Sequence, residues 1–261
     1  AWNQQGIHLW TRDSATLFLV AAQSSYLLGP AATDAHWTTS YTDTLLDGAA
    51  SAAATTISVD SSTGMSKGDF VGIELTSGVR YWTTIKSVAS ATSLTLTNGL
   101  SGAASDNGTL FAYTSRPQRP LRILNCTRGV YNGSDIPVDI ESFEKYLNSP
   151  DKTSTGTVTL VSYQPLLTSG KLYVWLAANS ANDVLKLLFE RSIADFDAAA
   201  DTPNFPVEWA ETLYYNLAVR LEPQYRQLSA GRRQELRIDA ASMLEQSKAF
   251  DTDPGSIFMQ P

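Results

Sequence analysis

The stretch from Asp47 to Ser115 constrains the fold most, because it alternates apolar and polar residues over short segments and has almost no helical periodicity. Such alternation places successive side chains on opposite faces of a strand. Several short strands separated by glycine-bearing turns predict a small closed β unit, either a barrel or an immunoglobulin-like sandwich. The strands are predicted at Thr56–Val59, Phe70–Leu75, Tyr81–Val88, Ser93–Leu96 and Leu110–Tyr113.

The segments on either side of this stretch predict a mixed host domain. Leu17–Tyr26 is apolar and predicts one core strand, which turns at Gly29 and Pro30. A short helix is predicted near Asp139, because a carboxylate suits the positive end of the helix dipole. The segments GTVTLVSYQP, GKLYVWLAA and NDVLKLLFERSI then predict three strands of an antiparallel meander.

The strongest helical pattern lies in the segment FPVEWAETLYYNLAVRLEP. Proline is tolerated in a first turn, so the helix is expected to begin near Pro206 and to end at Pro223. A second helix, about Ser229 to Ala249, follows after a short connection and predicts an antiparallel pair. Large apolar residues recur every four positions on the first helix and predict a wide apolar face: Trp209, Leu213, Leu217 and Leu221.

Together these patterns predict an α+β fold, in which a helical domain with an antiparallel β meander is interrupted by a small all-β domain. The predicted domains are a discontinuous core at 1–46 and 116–250, the inserted β domain at 47–115, and an extended C-terminal tail at 251–261. The first residues, AWNQQG, are typical of a last helical turn that ends at glycine. We therefore expect further helices upstream of Ala1.

Composition excludes several classes of protein. Charged residues make up 17% and hydrophobic residues 43%, which is typical of a globular chain and not of a disordered one. Cys126 is the only cysteine, so an intrachain disulfide and a thiolate metal cluster are excluded. The formal charge of −7 argues against a protein that grips nucleic acid over its whole surface. No apolar run is long enough for a membrane helix, so no membrane partner is expected.

No pattern in the sequence predicts catalysis, a cofactor or a metal ion, and we expect none of the three. His8 and His36 have no spacing typical of a metal site or a catalytic triad. The chain has no Gly-x-Ser-x-Gly nucleophile elbow, and its glycine-rich segment NGLSGAASDNG lacks the Lys-Ser/Thr pair of a phosphate loop. The local carboxylate clusters that a glycoside hydrolase would need are Glu141 with Glu144, and Glu190 with Asp195 and Asp197.

A group of arginines on the two predicted helices is our candidate for partner binding. Arginine side chains suit contacts with carboxylates and phosphates. The alternative is that they pair with the acids of the same two helices, which are about as numerous. In the predicted tail, Ile257 and Phe258 are candidates for docking to a partner. The arginine candidates are Arg220, Arg226, Arg232, Arg233 and Arg237.

Several segments, taken in order, carry a resemblance to a known family. They are WNQQGIHLW, LFLVAAQSSYLLGP, LYVWLAA and ERSIADFDAAADTPNFPVEWAETLYYNLAVRL, of which DTPNFPVEW is the most specific. Over residues 1–46 and 116–250 the chain resembles the head-to-tail adaptors of podoviruses, also called tail accessory factors or packaged-DNA stabilisation proteins. The β segment, with SKGDFVGIEL and RYWTTI, resembles a domain that some of these adaptors carry at this position.

The resemblance implies a structural virion protein, not an enzyme, in the neck of the phage particle, made in the cytoplasm of the bacterial host. Its partners would be further copies in a ring, usually of twelve, the portal protein, and the downstream tail nozzle or tail fibre and spike proteins. Packaged double-stranded DNA would pass through the ring without sequence-specific binding. The resemblance also implies a helical adaptor domain, in which the apolar face from Trp209 to Leu221 holds its helix to its own core.

Two other functions remain open from the sequence. A virion-associated carbohydrate-binding module or adhesin would use aromatic side chains of the β segment, although such residues more often fill a core. A cell-wall hydrolase would depend on the carboxylate clusters. The aromatic candidates are Tyr81, Trp82, Phe111 and Tyr113.

Overall fold

The chain divides into two compact units, one within Ala1–Ser192 and the other within Ile193–Pro261. A computed structural model describes residues 10–130, 133–180, 182–192, 209–225 and 228–250. Strands and bridges account for 42% of the described residues and helices for 19%. The predicted α+β fold, a helical adaptor domain with a small all-β insert, is therefore wrong. Residues 10–46 and 116–192 are described mainly as strands, because alternate side chains of their strands are buried on one face of a sheet.

The described part of the first unit contains seventeen strands and one short helix. Helix α1 (Phe143–Asn148) begins after Ser142, whose hydroxyl accepts a hydrogen bond from Lys145 N, and not at Asp139 as predicted. The strands are β1 (Trp10–Phe18), β2 (Ser25–Leu28), β3 (His36–Thr38), β4 (Thr42–Leu45), β5 (Thr56–Ser58), β6 (Phe70–Glu74), β7 (Arg80–Ser90), β8 (Ser93–Leu96), β9 (Thr109–Tyr113), β10 (Pro120–Val130), β11 (Ile136–Pro137), β12 (Asp139–Ile140), β13 (Thr155–Gly156), β14 (Leu160–Pro165), β15 (Gly170–Trp175), β16 (Ala177–Ala178) and β17 (Asp183–Ser192).

A five-stranded sheet in the order β11-β10-β17-β1-β3 forms one side of the first core. Its central strand β17 pairs with β1 along nine residues, from Val184 opposite Phe18 to Ser192 opposite Trp10, and with β10 on its other edge. Alternate residues of β17 are buried, so Leu185, Leu187 and Phe189 reach the core.

A four-stranded sheet in the order β12-β14-β15-β2 contributes the other side of the same core. Tyr26, Val161 and Leu172 of this sheet cluster with the buried residues of the five-stranded sheet. The predicted meander is wrong in one respect, because β14 and β15 pair with each other while β17 belongs to the other sheet. The predicted single strand at Leu17–Tyr26 is also wrong, because a turn in which Ala22 has a φ of 62° separates β1 from β2.

The segment between β3 and β10 forms a curled six-stranded sheet in the order β4-β9-β6-β7-β8-β5. Its two edge strands meet at a bridge between Leu46 and Val59, where Asp47 N donates to Ser58 O at 3.0 Å and Asp60 N donates to Leu45 O at 3.0 Å. The sheet encloses a core of its own. The five strands predicted here all form, with bounds within two residues of those expected, and β4 is a sixth that the pattern did not predict.

Aromatic side chains join this six-stranded sheet to the five-stranded sheet. Phe18 of β1 packs with Phe111, Tyr113 and Trp82 from the six-stranded sheet. The imidazole of His36 stacks on the Trp82 indole at a centroid distance of 3.8 Å, and its Nδ1 lies 2.8 Å from Tyr113 Oη. We call these five residues the aromatic junction.

Polar contacts hold the same two sheets at a second point. The buried Arg80 guanidinium donates to Asn182 Oδ1 at 3.0 Å and to Thr109 Oγ1 at 3.1 Å. Glu74 accepts hydrogen bonds from Asn182 Nδ2 at 2.9 Å and from Thr109 Oγ1 at 2.7 Å. Because Asn182 bonds to both Arg80 and Glu74, it connects the start of β17 to the six-stranded sheet.

The junction makes stability depend on pH through His36. Burial, and then the nearby Arg116 guanidinium, lowers the pKa of His36 to about 3, whereas an unfolded histidine has a pKa of about 6.5. The unfolded state therefore takes up a proton first as the pH falls. The contribution of neutral His36 is complete above pH 6.5 and is lost progressively toward pH 3.

We expect the free energy of unfolding to fall by about 2 kcal/mol between pH 7 and pH 5 through this group. The His36→Gln variant should lack that part of the change, although it is less stable at pH 7. Urea unfolding of both proteins at the two pH values measures the difference. An equal loss in the variant would contradict the assignment to His36.

Candidate interaction site on the helical pair

The described part of the second unit is a pair of contacting helices, α2 (Ala210–Tyr225) and α3 (Ala230–Phe250). Helix α2 continues through Pro223, so the expectation that this proline ends the helix is wrong. The predicted start near Pro206 lies outside the described residues.

Polar residues of α2 make hydrogen bonds to α3. Thr212 is 2% exposed, and its hydroxyl donates to Met243 O at 3.1 Å and lies 2.6 Å from Ser247 Oγ. One turn later Asn216 Nδ2 donates to Ala240 O at 3.3 Å. Sequence reasoning did not select these residues. The available signal was the pair of polar residues at 212 and 216, which lie one turn apart on one helix face.

The apolar face of α2 points away from α3. Each residue advances a helix by about 100°, so Tyr214, Leu217 and Leu221 lie about 140° to 200° around the axis from Thr212. Their spacing of three and four residues is that of a coiled-coil seam. The exposed fractions are 74% for Tyr214, 48% for Leu217, 39% for Leu221 and 68% for Tyr225. We call these four residues the α2 seam.

The expectation that the apolar face of α2 holds the helix to its own core is wrong in part. Of the four positions predicted to hold α2 to its own core, Trp209 is buried at 5% exposure and Leu213 is half-buried. Leu217 and Leu221 are exposed, so the expectation is wrong for them. The periodicity predicted an apolar face correctly but not the side of the helix that contacts α3.

The predicted arginines divide into paired and unpaired residues. Arg232 lies 3.4 Å from Glu235 on the exposed surface, and Arg233 lies 3.3 Å from Glu222 of the other helix. Arg220 and Arg237 have no ion-pair partner within the described chain. A cavity of about 430 Å³ lies against α3, and Arg233, Arg237 and Ile238 contribute to its lining. Three further candidates lie outside the described residues: Arg226, Ile257 and Phe258.

The residues proposed for sugar binding or hydrolysis lie elsewhere. Phe111 and Tyr113 are buried in the aromatic junction, and Trp82 is covered on one face by His36. Glu141 is paired with Lys145, and Arg122 Nη2 lies 2.9 Å from Glu190 Oε1. Both carboxylates thus have a structural partner. His8, Asp195 and Asp197 fall outside the described residues.

The described part of the chain contains no cluster of histidine, cysteine and carboxylate side chains that could hold a metal ion. None of its helices combines the length and the apolarity that crossing a membrane requires. Cys126 of β10 is fully buried, and burial raises the pKa of its thiol to about 12.

Comparison of the chain with protein-family models, with curated proteins and with solved structures found no match in any of the three. Functional inference therefore depends on the geometry of the chain and on the resemblance given above.

The polar contact between the helices can be tested with Thr212→Val, which keeps the shape of the side chain and removes its hydroxyl. Ser247 Oγ would lose its partner in a buried position, so the helical pair should be destabilised by about 1–2 kcal/mol. Hydrogen exchange of the α2 and α3 amides measures this directly. The exposed Ser242→Ala change on α3 is the control, and equal protection in both variants would contradict the assignment.

Proposed function

We propose that the chain is a structural, non-enzymatic protein of a tailed-bacteriophage virion, a head-to-tail adaptor that assembles as a ring beneath the portal. In that position it would extend the DNA channel, retain the packaged genome and seat the tail. The observation that carries the proposal is the exposed α2 seam, which has the spacing of a helix-packing surface and no partner helix among the described residues.

Exposed apolar surface of this kind marks contact sites in soluble proteins. An isolated helical pair gains nothing from presenting two leucines and two tyrosines to water, whereas a subunit of an assembly buries them against its neighbour. The most specific part of the resemblance to podovirus adaptors, DTPNFPVEW, ends immediately before α2, and the resembling segment continues to Leu221. Three of the four seam residues, Tyr214, Leu217 and Leu221, therefore lie in a segment that carries the resemblance.

Net charge is consistent with a conduit for DNA. A ring of about twelve copies would carry a formal charge on the order of −84, twelve times the −7 of one chain. Phosphates are held mainly by lysine and arginine, so an acidic ring favours passage of DNA over retention by tight binding. The proposed partners are further copies of the chain, the portal protein and the next tail component.

The test combines Leu217→Glu with Leu221→Glu and compares the double variant with wild type by mass photometry and electron microscopy, with and without portal protein. We expect wild type to form a closed ring, alone or on the portal, and the variant to remain monomeric with unchanged helix content. Each buried leucine contributes about 2 kcal/mol, and a buried unpaired carboxylate opposes the contact further.

The control is Leu147→Glu, which places the same charge on an exposed leucine at the end of α1. It should assemble like wild type. Failure of wild type to form a ring at any concentration, with or without the portal, would overturn the proposed function. Normal assembly by the double variant would overturn the role of the seam alone.

A further inference from the structure

A small polar cleft lies where the chain enters and leaves the six-stranded sheet. Its volume is about 160 Å³, well below the 300–1,000 Å³ of pockets that hold drug-sized ligands. We call it the junction cleft, and define it by six of its lining residues: Thr38, Tyr41, Thr42, Gly64, Asp69 and Ser115.

One carboxylate in the cleft has a free oxygen although its residue is buried. Asp69 is 3% exposed. Its Oδ2 accepts a hydrogen bond from Ser66 N at 2.7 Å, which closes the turn before β6. Its Oδ1 has no partner among the described residues, and it is not among the buried side-chain atoms sealed from solvent. A buried carboxylate oxygen is costly to leave without a donor, so this atom is suited to accept a hydrogen bond from a ligand.

Hydroxyl groups line the same cleft as that carboxylate. The side-chain oxygens of Ser40, Thr42 and Ser115 make no hydrogen bond within the described chain, and all three residues line the cleft. Gly64 approaches Thr42 so closely that a Cβ would lie 3.1 Å from Thr42 Oγ1, and its φ of +81° favours glycine. The absence of a side chain at position 64 keeps the Thr42 hydroxyl accessible.

The walls of the cleft are fixed by contacts within the fold. The Thr38 hydroxyl lies 2.8 Å from Ser40 O and 3.0 Å from Ser115 O, and so ties the entering and leaving segments together. The Tyr41 ring meets Phe18 and Phe111 edge to face at 5.4 Å and 5.5 Å, yet remains 38% exposed. The cleft therefore combines a fixed aromatic ring with a fixed set of acceptors and donors.

We propose that the junction cleft binds a single pyranose unit of a glycan. A sugar ring offers vicinal hydroxyls to the Asp69 carboxylate and to the threonine and serine hydroxyls. Its C–H face can pack on Tyr41, as apolar surface does on aromatic rings. A phosphate would be repelled by Asp69. A bare divalent cation would find one carboxylate where calcium prefers six to eight oxygen ligands.

The test uses saturation-transfer difference NMR on the full chain with methyl glycosides of glucose, galactose, mannose, rhamnose and N-acetylglucosamine, followed by titration of any that bind. We expect at least one to bind the wild type. Asp69→Asn, Tyr41→Ala and Thr42→Val should each weaken that binding at least tenfold while the chain remains folded at the temperature of the measurement. Thr42→Val keeps the strand propensity of β4, so it remains informative if Asp69→Asn is unstable.

The matched control is Asp106→Asn. Asp106 also caps a turn of the same sheet, accepting from Gly48 N at 2.8 Å, but it does not line the cleft. This variant should bind like wild type. Absence of binding by the whole panel, binding undiminished in the three cleft variants, or binding of calcium without any sugar would each overturn the proposal. None of these outcomes bears on ring assembly, because the cleft and the α2 seam belong to different units.

Discussion

The pairing of β1 with β17 is the constraint on which the first unit depends. These strands are adjacent in the sheet but separated by more than 160 residues of chain, and every other element of the unit lies between them. Closing so long a loop costs conformational entropy that only the finished sheet offsets. Because β10 pairs with the other edge of β17, the five-stranded sheet needs strands from both sides of residues 47–115. The six-stranded sheet is therefore formed by a segment inserted between strands of the five-stranded sheet.

The six-stranded sheet is held against the five-stranded sheet at two places, one apolar and one polar. The aromatic junction buries Phe18, Phe111 and Tyr113 and excludes water over a broad area. At the second place, Asn182 makes hydrogen bonds with Arg80 and Glu74. Hydrogen bonds are directional, so these two bonds would weaken if one sheet rotated against the other. Apolar packing supplies most of the attraction and the polar contacts fix the orientation. The same arrangement shapes the junction cleft, whose walls come from the two chain crossings between the sheets and from the segment before β6.

The sequence predicted local structure better than it predicted partners. The alternation of apolar and polar residues located the strands from Thr56 to Tyr113 within two residues, because each strand that buries one face has an apolar residue at every second position. Alternation could not show that β17 pairs with β1 and not with β14 or β15, since the pairing of strands far apart in the chain is not encoded in the pattern of either strand alone. Leu217 and Leu221 were recognised as apolar, but the pattern did not show that α3 contacts a different side of the helix, at Thr212. Among the candidate arginines, spacing could not distinguish Arg233, paired across the helices, from Arg237. The sequence did not identify Asp69 as a candidate binding residue. The cleft around it forms only where residues 38–42 and 112–115 come together in the fold.

The state of Cys126 makes the protein convenient for site-specific chemistry. Thiol reagents attack the thiolate, and this thiol is both sealed in the core and held protonated at neutral pH. A cysteine placed on the surface of either unit would therefore react alone, without removal of the native one. Spin labels or photo-crosslinkers attached in this way along α2 would report distances between copies in an assembly, residue by residue.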